Sequence, residues 1–472
     1  MKKNILWPML PALAACAAST DAQAQPQQQP NVVLIFADDL GYQDLSCCGS
    51  PLIKTPRLDQ LAQDGTRLTS FYVSASVSSA SRAGLMTGRF NTRNGVRAVL
   101  FPGKKGMPAE EITMAEALRE QGYATGCFGK WHLGDTDGQL PTDQGFDTYF
   151  GIPYSNDMFI GTNQKFAKKV NFREGYTLEK AKADQKALKE DRKQNKALKN
   201  IVPLFKDKEI IEYPCDQATT SERYIDQAID FIGTNKGKKP FFAYITPSMP
   251  HIPLYATEKF AGKSERGLYG DCIEELDWNI GRLLDYLDEN GLRENTIVIF
   301  ASDNGPWLSK KEDGGCALPL RDGKFSMYEG GVRTPFIARW PGHIPAGVVS
   351  DGMLASIDLY PTLLHYAGCD KINHHIDGMD MHKFLENPLK KKCQLRDEYI
   401  YIKNGKVCGV RKGDWIYLPE SGIYRKKGNA EVEPELFNIR EDIAQGKNLE
   451  EVYPEKLEEM KVIFEQSIEK AK

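Results

Sequence analysis

Short apolar runs alternate with amphipathic stretches from Asn31 onward. The run Asn31–Phe36 (NVVLIF) is unbroken and rich in β-branched residues, which predicts a strand buried on both faces. Thr66–Ser74 (TRLTSFYVS), Tyr123–Lys130 (YATGCFGK), Pro240–Pro247 (PFFAYITP) and Thr296–Asp303 (TIVIFASD) predict further strands. Helical periodicity fills the intervals. Thr55–Gly65 (TPRLDQLAQDG) has proline near its start and glycine at its end, the usual start and stop signals. Ile112–Gly122, Ser221–Gly233 and Cys272–Gly291 follow the same 3.6-residue pattern. Strand and helix in alternation predict an α/β fold, a mostly parallel sheet with helices on both faces.

Two regions break the rhythm. Residues from about Asn163 to Lys208 are dense in lysine with Asp and Glu interspersed, which reads as a solvated helical insertion; a face for polyanions is the sharper alternative. From Gln394 the pattern changes to short strands, Glu398–Leu418 and Pro434–Ile439, followed by a polar helix to Lys472. The expected division is therefore residues 25–393 as one large domain and 394–472 as a small antiparallel subdomain. Gln25–Pro30 is a Gln/Pro-rich linker.

Residues 1–24 form a targeting segment, with a basic start and an apolar run too short to span a membrane. Ala22–Ala24 suits ordinary signal cleavage, and Leu13–Cys16 (LAAC) resembles a bacterial lipobox in which Cys16 is lipidated. Either outcome exports the protein, to the periplasm or to the outer membrane and cell surface, and permits disulfides. A lipid anchor is then the sole membrane attachment expected.

Composition narrows the choice of partner. The 472 residues are 41% hydrophobic and 26% charged, which is ordinary for a soluble globular chain. A net charge of −3 offers no basic excess for nucleic acid. The 10 cysteines include no CxxC pair, so no zinc motif is present.

Polar residues at the ends of apolar strands carry the candidate chemistry, because open α/β sheets bind ligands outside the carboxyl ends of their strands. The first strand runs into Asp38 and Asp39, and the strand at Thr296 runs into Asp303 and Asn304. Three carboxylates and an amide suit a hard divalent cation; calcium fits the set best and magnesium is the alternative. Either pair alone would read as turn residues. Two more strand-like runs lead into His132 and His251, out of 7 histidines. One such histidine alone reads as structural; two in parallel positions point to acid–base work. Lys130 and Lys324 sit in similar turns. Ser76–Arg89 (SVSSASRAGLMTGR) places Ser78 at the start of a helix, where free N–H groups attract an anion, with Arg82 one turn on. A nucleophile, an anion hole and a cation together describe a site for a sulfate or phosphate ester.

The stretch Ser78-Ser79-Ala80-Ser81-Arg82, followed by Ala83–Arg89, resembles the signature of the type I sulfatases of the alkaline phosphatase superfamily. In that signature Cys or Ser stands first, Pro or Ala third, then Ser-Arg, with Thr-Gly after a short apolar turn. ADDLGY, GKWHLG, GFDTYFGIPYS, PHIPL, SDNGPW and GGVRTPFIARWPG resemble family blocks in family order, from about Asn31 to Gly342. PELFNIREDIAQGKNL resembles the family's C-terminal subdomain. Ala80 departs from the commoner proline, which bears on recognition by the maturing enzyme, and Met86 replaces a usual leucine.

The resemblance implies an alkaline-phosphatase-like fold and a catalytic formylglycine (3-oxoalanine) made from Ser78. The serine form implies a radical-SAM sulfatase-maturing enzyme as partner. It further implies that Arg82 and the cation neutralise sulfate, and that Lys130 holds the formylglycine or a sulfate oxygen. His251 or Lys324 protonates the leaving alcohol, His132 takes the proton that lets sulfate depart, and Ser155 binds sulfate. Arg333 and Glu329 read as a structural pair, and His374 and His375 as loop residues. GFDTYFGIPYS and DNGPW resemble the branch of arylsulfatase A and N-acetylgalactosamine-6-sulfatase. The implied substrate is a sulfated glycan, with galactose or N-acetylhexosamine sulfates from mucin or glycosaminoglycan, attacked from the chain end. A phosphoester or phosphonate hydrolase using unmodified Ser78, and a non-catalytic glycan-binding lipoprotein, remain the alternatives.

Overall fold

Alternate residues of each apolar run serve the two faces of one sheet. Val32, Leu34 and Phe36 join one core, while Val33, Ile35 and Ala37 join the other. Ile297, Ile299 and Ala301 divide in the same way from Val298 and Phe300. Such strands must be apolar at every position, which is why they read as unbroken runs. The structure is a computed structural model that describes residues 1, 29–369, 371–420, 422 and 433–472. The expected targeting segment after Met1, with Cys16, and the linker as far as Gln28 lie outside the described residues.

Eleven strands form the main sheet: β1 (Asn31–Ala37), β2 (Thr66–Tyr72), β3 (Ala124–Gly129), β4 (Thr148–Gly151), β5 (Lys165–Phe172), β6 (Leu204–Lys206), β7 (Glu209–Tyr213), β8 (Phe241–Thr246), β9 (Thr296–Ser302), β10 (Arg333–Arg339) and β11 (Val348–Ala355). Their order is β11-β2-β10-β9-β1-β8-β3-β4-β6-β7-β5. The five strands from β9 to β4 run parallel; β10 and β6 are antiparallel to their neighbours. Helices α1 (Pro56–Gln63), α2 (Ser78–Thr87), α3 (Met114–Glu120), α4 (Leu178–Asp191), α5 (Thr220–Asn235) and α6 (Leu268–Glu289) punctuate the strands. Apolar residues of α1, α5 and α6 fill one core, and those of α2 and α3 fill the other. The mixed, mostly parallel α/β sheet expected from the sequence is the sheet observed.

The lysine-dense region differs from expectation. Its middle is the exposed helix α4, but it opens with β5 and closes with β6, both in the main sheet. Phe166, Val170 and Phe172 pack against the core beneath the lysines of β5. Charge on the solvent side hid that alternation.

Strands β12 (Glu398–Lys403), β13 (Lys406–Lys412), β14 (Trp415–Leu418) and β15 (Glu435–Asn438) form the small antiparallel sheet, covered by the helix Pro454–Lys470. Asn404 and Gly405 join β12 to β13 with φ of 53° and 72°, the left-handed pair that a two-residue Asn-Gly hairpin requires. Glu329 ties this sheet to the main one: Arg333 pairs with it at 3.2 Å, and the Tyr401 and Tyr72 hydroxyls donate to it. The nine described cysteines are free thiols. Among the described residues no helix is long and apolar enough to cross a membrane.

One buried contact fixes α1 against α6. Thr55, before α1, makes no side-chain cap, and Pro56 has no N–H to satisfy. The Asp277 carboxylate of α6 instead accepts from the amides of Arg57 (3.1 Å) and Leu58 (2.8 Å). Asp277→Ala leaves the buried Leu58 donor and the half-buried Arg57 donor without that acceptor, so urea denaturation is expected to show a loss of about 1–3 kcal/mol; an unchanged midpoint contradicts the capping role.

Candidate active site

Register places the site. Ala37 of β1 lies beside Ser302 of β9, so the residues that follow, Asp38 and Asp303, leave the sheet at one level. Oxygens of Asp38, Asp39 and Asp303 lie within 4.8 Å of one another, and all three residues are buried. The Asp39 amide donates to Asp303 Oδ1 at 3.1 Å, and Asn304 Nδ2 donates to Asp39 Oδ1 at 2.7 Å. Asp39 reaches this place through a left-handed turn, with φ of 59°.

Each carboxylate has a basic partner. Arg82 lies 2.8–2.9 Å from Asp303 Oδ2 through two nitrogens and donates to the Lys130 carbonyl at 3.1 Å. Lys130 Nζ meets both oxygens of Asp38 at 2.8 and 2.7 Å. Lys324 Nζ meets Asp39 Oδ2 at 2.8 Å. Burial opposes ionisation of Asp38, yet Lys130, His251 and Arg82 outweigh it and hold the carboxyl below its usual range. Burial also opposes the charge on Lys324, and Asp39 and Asp38 outweigh it there, raising its pKa.

Ser78 opens α2 at the meeting point of these groups. Its hydroxyl donates to Asp38 Oδ1 at 3.1 Å, lies 3.3 Å from Asn304 Oδ1, and accepts from Lys130 Nζ at 3.2 Å. Among its serine neighbours, Ser79 accepts from the Leu100 amide and Ser74 donates to the carbonyls of Ala80 and Ser81, so both are structural.

Both histidines stand over Ser78, lining a cavity of about 350 Å³ with Ser155 and Lys324. His132 Nε2 faces the Leu100 carbonyl at 3.1 Å, and a carbonyl can only accept. The proton therefore sits on Nε2, which leaves Nδ1 a lone pair with no partner among the described residues. His251 Nδ1 faces the Ile252 carbonyl at 2.6 Å, so its proton sits on Nδ1. Its Nε2 turns toward Ser155 Oγ at 3.4 Å and Asp39 Oδ2 at 3.7 Å. Burial lowers the pKa of both rings, with Lys130 and Arg82 adding to the effect at His132 and Lys324 at His251. Both imidazoles are neutral at pH 7 and each offers one unprotonated nitrogen.

All eleven residues singled out from the sequence thus converge: Asp38, Asp39, Ser78, Arg82, Lys130, His132, Ser155, His251, Asp303, Asn304 and Lys324. Arg333, His374 and His375 lie elsewhere; His374 meets the Tyr360 hydroxyl and His375 meets Asp377. Sequence reasoning missed the supporting walls. Asn156 Oδ1 lies 3.1 Å from His251 Nδ1, and Trp307 packs against His251 with ring centres 5.7 Å apart and lies beneath Lys324. Phe101 and Asn404 complete the rim. Trp307 stood beside the Asp-Asn pair in SDNGPW, a signal that could have been used; Phe101 and Asn404 left none.

The donor set suits a hard cation. It is all oxygen, buried and supplied by two neighbouring strands. Three carboxylates against Arg82, Lys130 and Lys324 sum formally to zero, so a divalent cation leaves a surplus of two positive charges to attract an anionic ester. His365, Asp380 and His382 form a second convergence, in which His382 Nδ1 is hydrogen-bonded to Asp380 Oδ2 at 2.8 Å and His365 Nδ1 faces the same oxygen at 3.2 Å; none of the three lines the catalytic cavity.

Known proteins resemble the chain throughout this region. The family model described as Sulfatase matches residues 30–369. Arylsulfatase A of Homo sapiens is 41% identical over 378 residues, which cover 79% of this chain and 70% of that protein. N-acetylgalactosamine-6-sulfatase of Rattus norvegicus is 36% identical over 400 residues, covering 80% and 69%. The solved structure of the PsFucS1 sulfatase from Pseudoalteromonas sp. matches with a TM-score of 0.79 at 29% identity, covering 94% of this chain and 90% of that one.

A cation that binds the folded state alone stabilises it by mass action. Adding millimolar calcium to chelator-treated protein is expected to raise Tm, with magnesium giving a smaller rise, and Asp39→Asn is expected to remove most of the effect. A wild-type Tm indifferent to both ions contradicts the fit.

Proposed function

The chain belongs to the sulfatase family of sulfuric ester hydrolases, and we propose that it is an exported enzyme hydrolysing sulfate monoesters of galactose or N-acetylhexosamine through a formylglycine made from Ser78. The observation that carries this reading is the convergence on Ser78 of Asp38, Asn304 and Lys130 within 3.3 Å, beneath two neutral histidines. Serine at this position, in place of cysteine, supports maturation by a radical-SAM enzyme. The basic and then apolar start of the sequence supports export, with Cys16 lipidation or signal cleavage as the route.

An unmodified serine hydroxyl is a weak nucleophile. The hydrated aldehyde would supply two hydroxyls on one carbon, and calcium held by Asp38, Asp39, Asp303 and Asn304 would supply a Lewis acid for the sulfate oxygens. The remaining work falls to side chains. Lys130 orients the group at position 78 and keeps Asp38 ionised. Arg82 holds Asp303 in place and adds fixed positive charge beneath the anion. His132 takes a proton at Nδ1, the atom its hydrogen bond to Leu100 leaves free. At the leaving oxygen Lys324 brings a proton, His251 Nε2 accepts a hydrogen bond, and Ser155 beside it binds a sulfate oxygen. The sugar assignment is supported by similarity to N-acetylgalactosamine-6-sulfatase and by the aromatic rim of Phe101 and Trp307.

Sulfate release from galactose 6-sulfate, N-acetylgalactosamine 6-sulfate and 4-nitrophenyl sulfate tests the reading, with 4-nitrophenyl phosphate as the rival ester. Turnover of a sulfated sugar is expected. Ser78→Ala is expected to abolish it, and His132→Ala to lower kcat by about a hundred- to ten-thousand-fold. Turnover of the phosphate ester alone, or full activity in Ser78→Ala, overturns it.

A further inference from the structure

A second cavity, of about 550 Å³, lies behind the rim of the first. The same two chain segments wall both: Phe101 and Met158 face the catalytic cavity, while Pro102 and Phe159, one residue on, face the second. The far wall of the second cavity is Leu188–Lys193, the end of helix α4 and the residues after it. Arg192 lies over the Phe101 ring, its guanidinium carbon 4.5 Å from the ring centre. Phe101 is 42% exposed at that border.

Basic side chains outnumber acidic ones in the lining of this cavity. Lys104, Lys189, Arg192 and Lys193 line it, and none has an ion-pair partner among the described residues. Against these four cations stand two carboxylates, Glu190 and Asp191, which leaves the lining formally two positive charges in excess. Glu190 pairs with Lys186, and Asp191 accepts from the amides of Lys193 and Gln194 at 2.8 and 3.1 Å. Basic residues near a helix end can answer its dipole and free carbonyls. Here Asn195 donates to the carbonyls of Ala187 and Asp191, and Lys104 belongs to another segment altogether. The dipole therefore does not account for Lys104.

We propose that this cavity is a subsite for a second anionic group, a sulfate or uronate on the sugar adjoining the one desulfated. The inference rests on the sulfatase reading and deepens it: the substrate is an anionic oligosaccharide, and α4 belongs to its recognition. Phe101 stands between the two cavities as an apolar platform that both sugars can touch. Lys104 and Arg192 supply charge from two separate segments of the lining, and Thr162 and Asn163 supply hydrogen-bonding groups from a third.

The test compares N-acetylgalactosamine 6-sulfate with a chondroitin 6-sulfate tetrasaccharide that has N-acetylgalactosamine 6-sulfate at its non-reducing end, next to a uronate. Wild type is expected to show a higher kcat/KM on the tetrasaccharide. Lys104→Ala/Arg192→Ala is expected to lower that value about tenfold, the scale two partly exposed charge pairs supply, and to leave the monosaccharide unaffected. Lys238→Ala/Lys239→Ala, in a basic cleft elsewhere, serves as control for general charge. Equal losses on both substrates, or equal losses in the control, overturn the subsite. Calorimetric binding of the tetrasaccharide to the Ser78→Ala variant separates this inference from the catalytic reading. Binding weakened by Lys104→Ala/Arg192→Ala supports the subsite even where no sulfate is released, and unaltered binding overturns it.

Discussion

Burial of three carboxylates at the ends of β1 and β9 is the constraint on which the rest depends. An ion moved out of water costs several kcal/mol unless opposite charge and hydrogen bonds offset it. Asp38, Asp39 and Asp303 are at most 3% exposed, so three separate parts of the chain must bring cations to them. Arg82 comes from α2, Lys130 from the end of β3, and Lys324 from the loop before β10. Meeting that requirement seats α2 over the sheet and thereby delivers Ser78 to the same point. The electrostatic scaffold and the reactive position are consequences of one arrangement.

Hydrogen bonding then divides the labour of the two histidines. Each ring gives its proton to a main-chain carbonyl, Leu100 for His132 and Ile252 for His251, and so presents its other nitrogen to the cavity. Burial and neighbouring cations keep both rings neutral. Lys324 beside His251 remains charged. A proton acceptor and a proton carrier thus line one cavity with Ser78, an arrangement suited to an ester whose two halves depart at different times.

The central strands were legible in the sequence because both of their faces are buried, which forces unbroken apolar runs. β5 was not, because lysines on its solvent side broke up Phe166, Val170 and Phe172. The site was legible for a related reason. Apart from Lys324, its ionic and nucleophilic residues follow strands or lie in the first turns of α2, and parallel pairing brings such positions together whatever their separation in sequence. Asn156, Phe101 and Asn404 belong to loops and a hairpin tip whose approach depends on tertiary packing. The cationic cavity was half legible: the lysines were visible, but the cavity they line and the place of Arg192 over Phe101 belong to the fold.

The central claim is that Ser78 is the reactive residue after oxidation. The mass of the peptide containing Ser78, from protein made together with an anaerobic sulfatase-maturing enzyme, tests it most directly. The account predicts a loss of two hydrogens located at Ser78, the signature of an alcohol converted to an aldehyde. An unmodified Ser78, from a preparation in which the same maturing enzyme converts a control sulfatase, would contradict it.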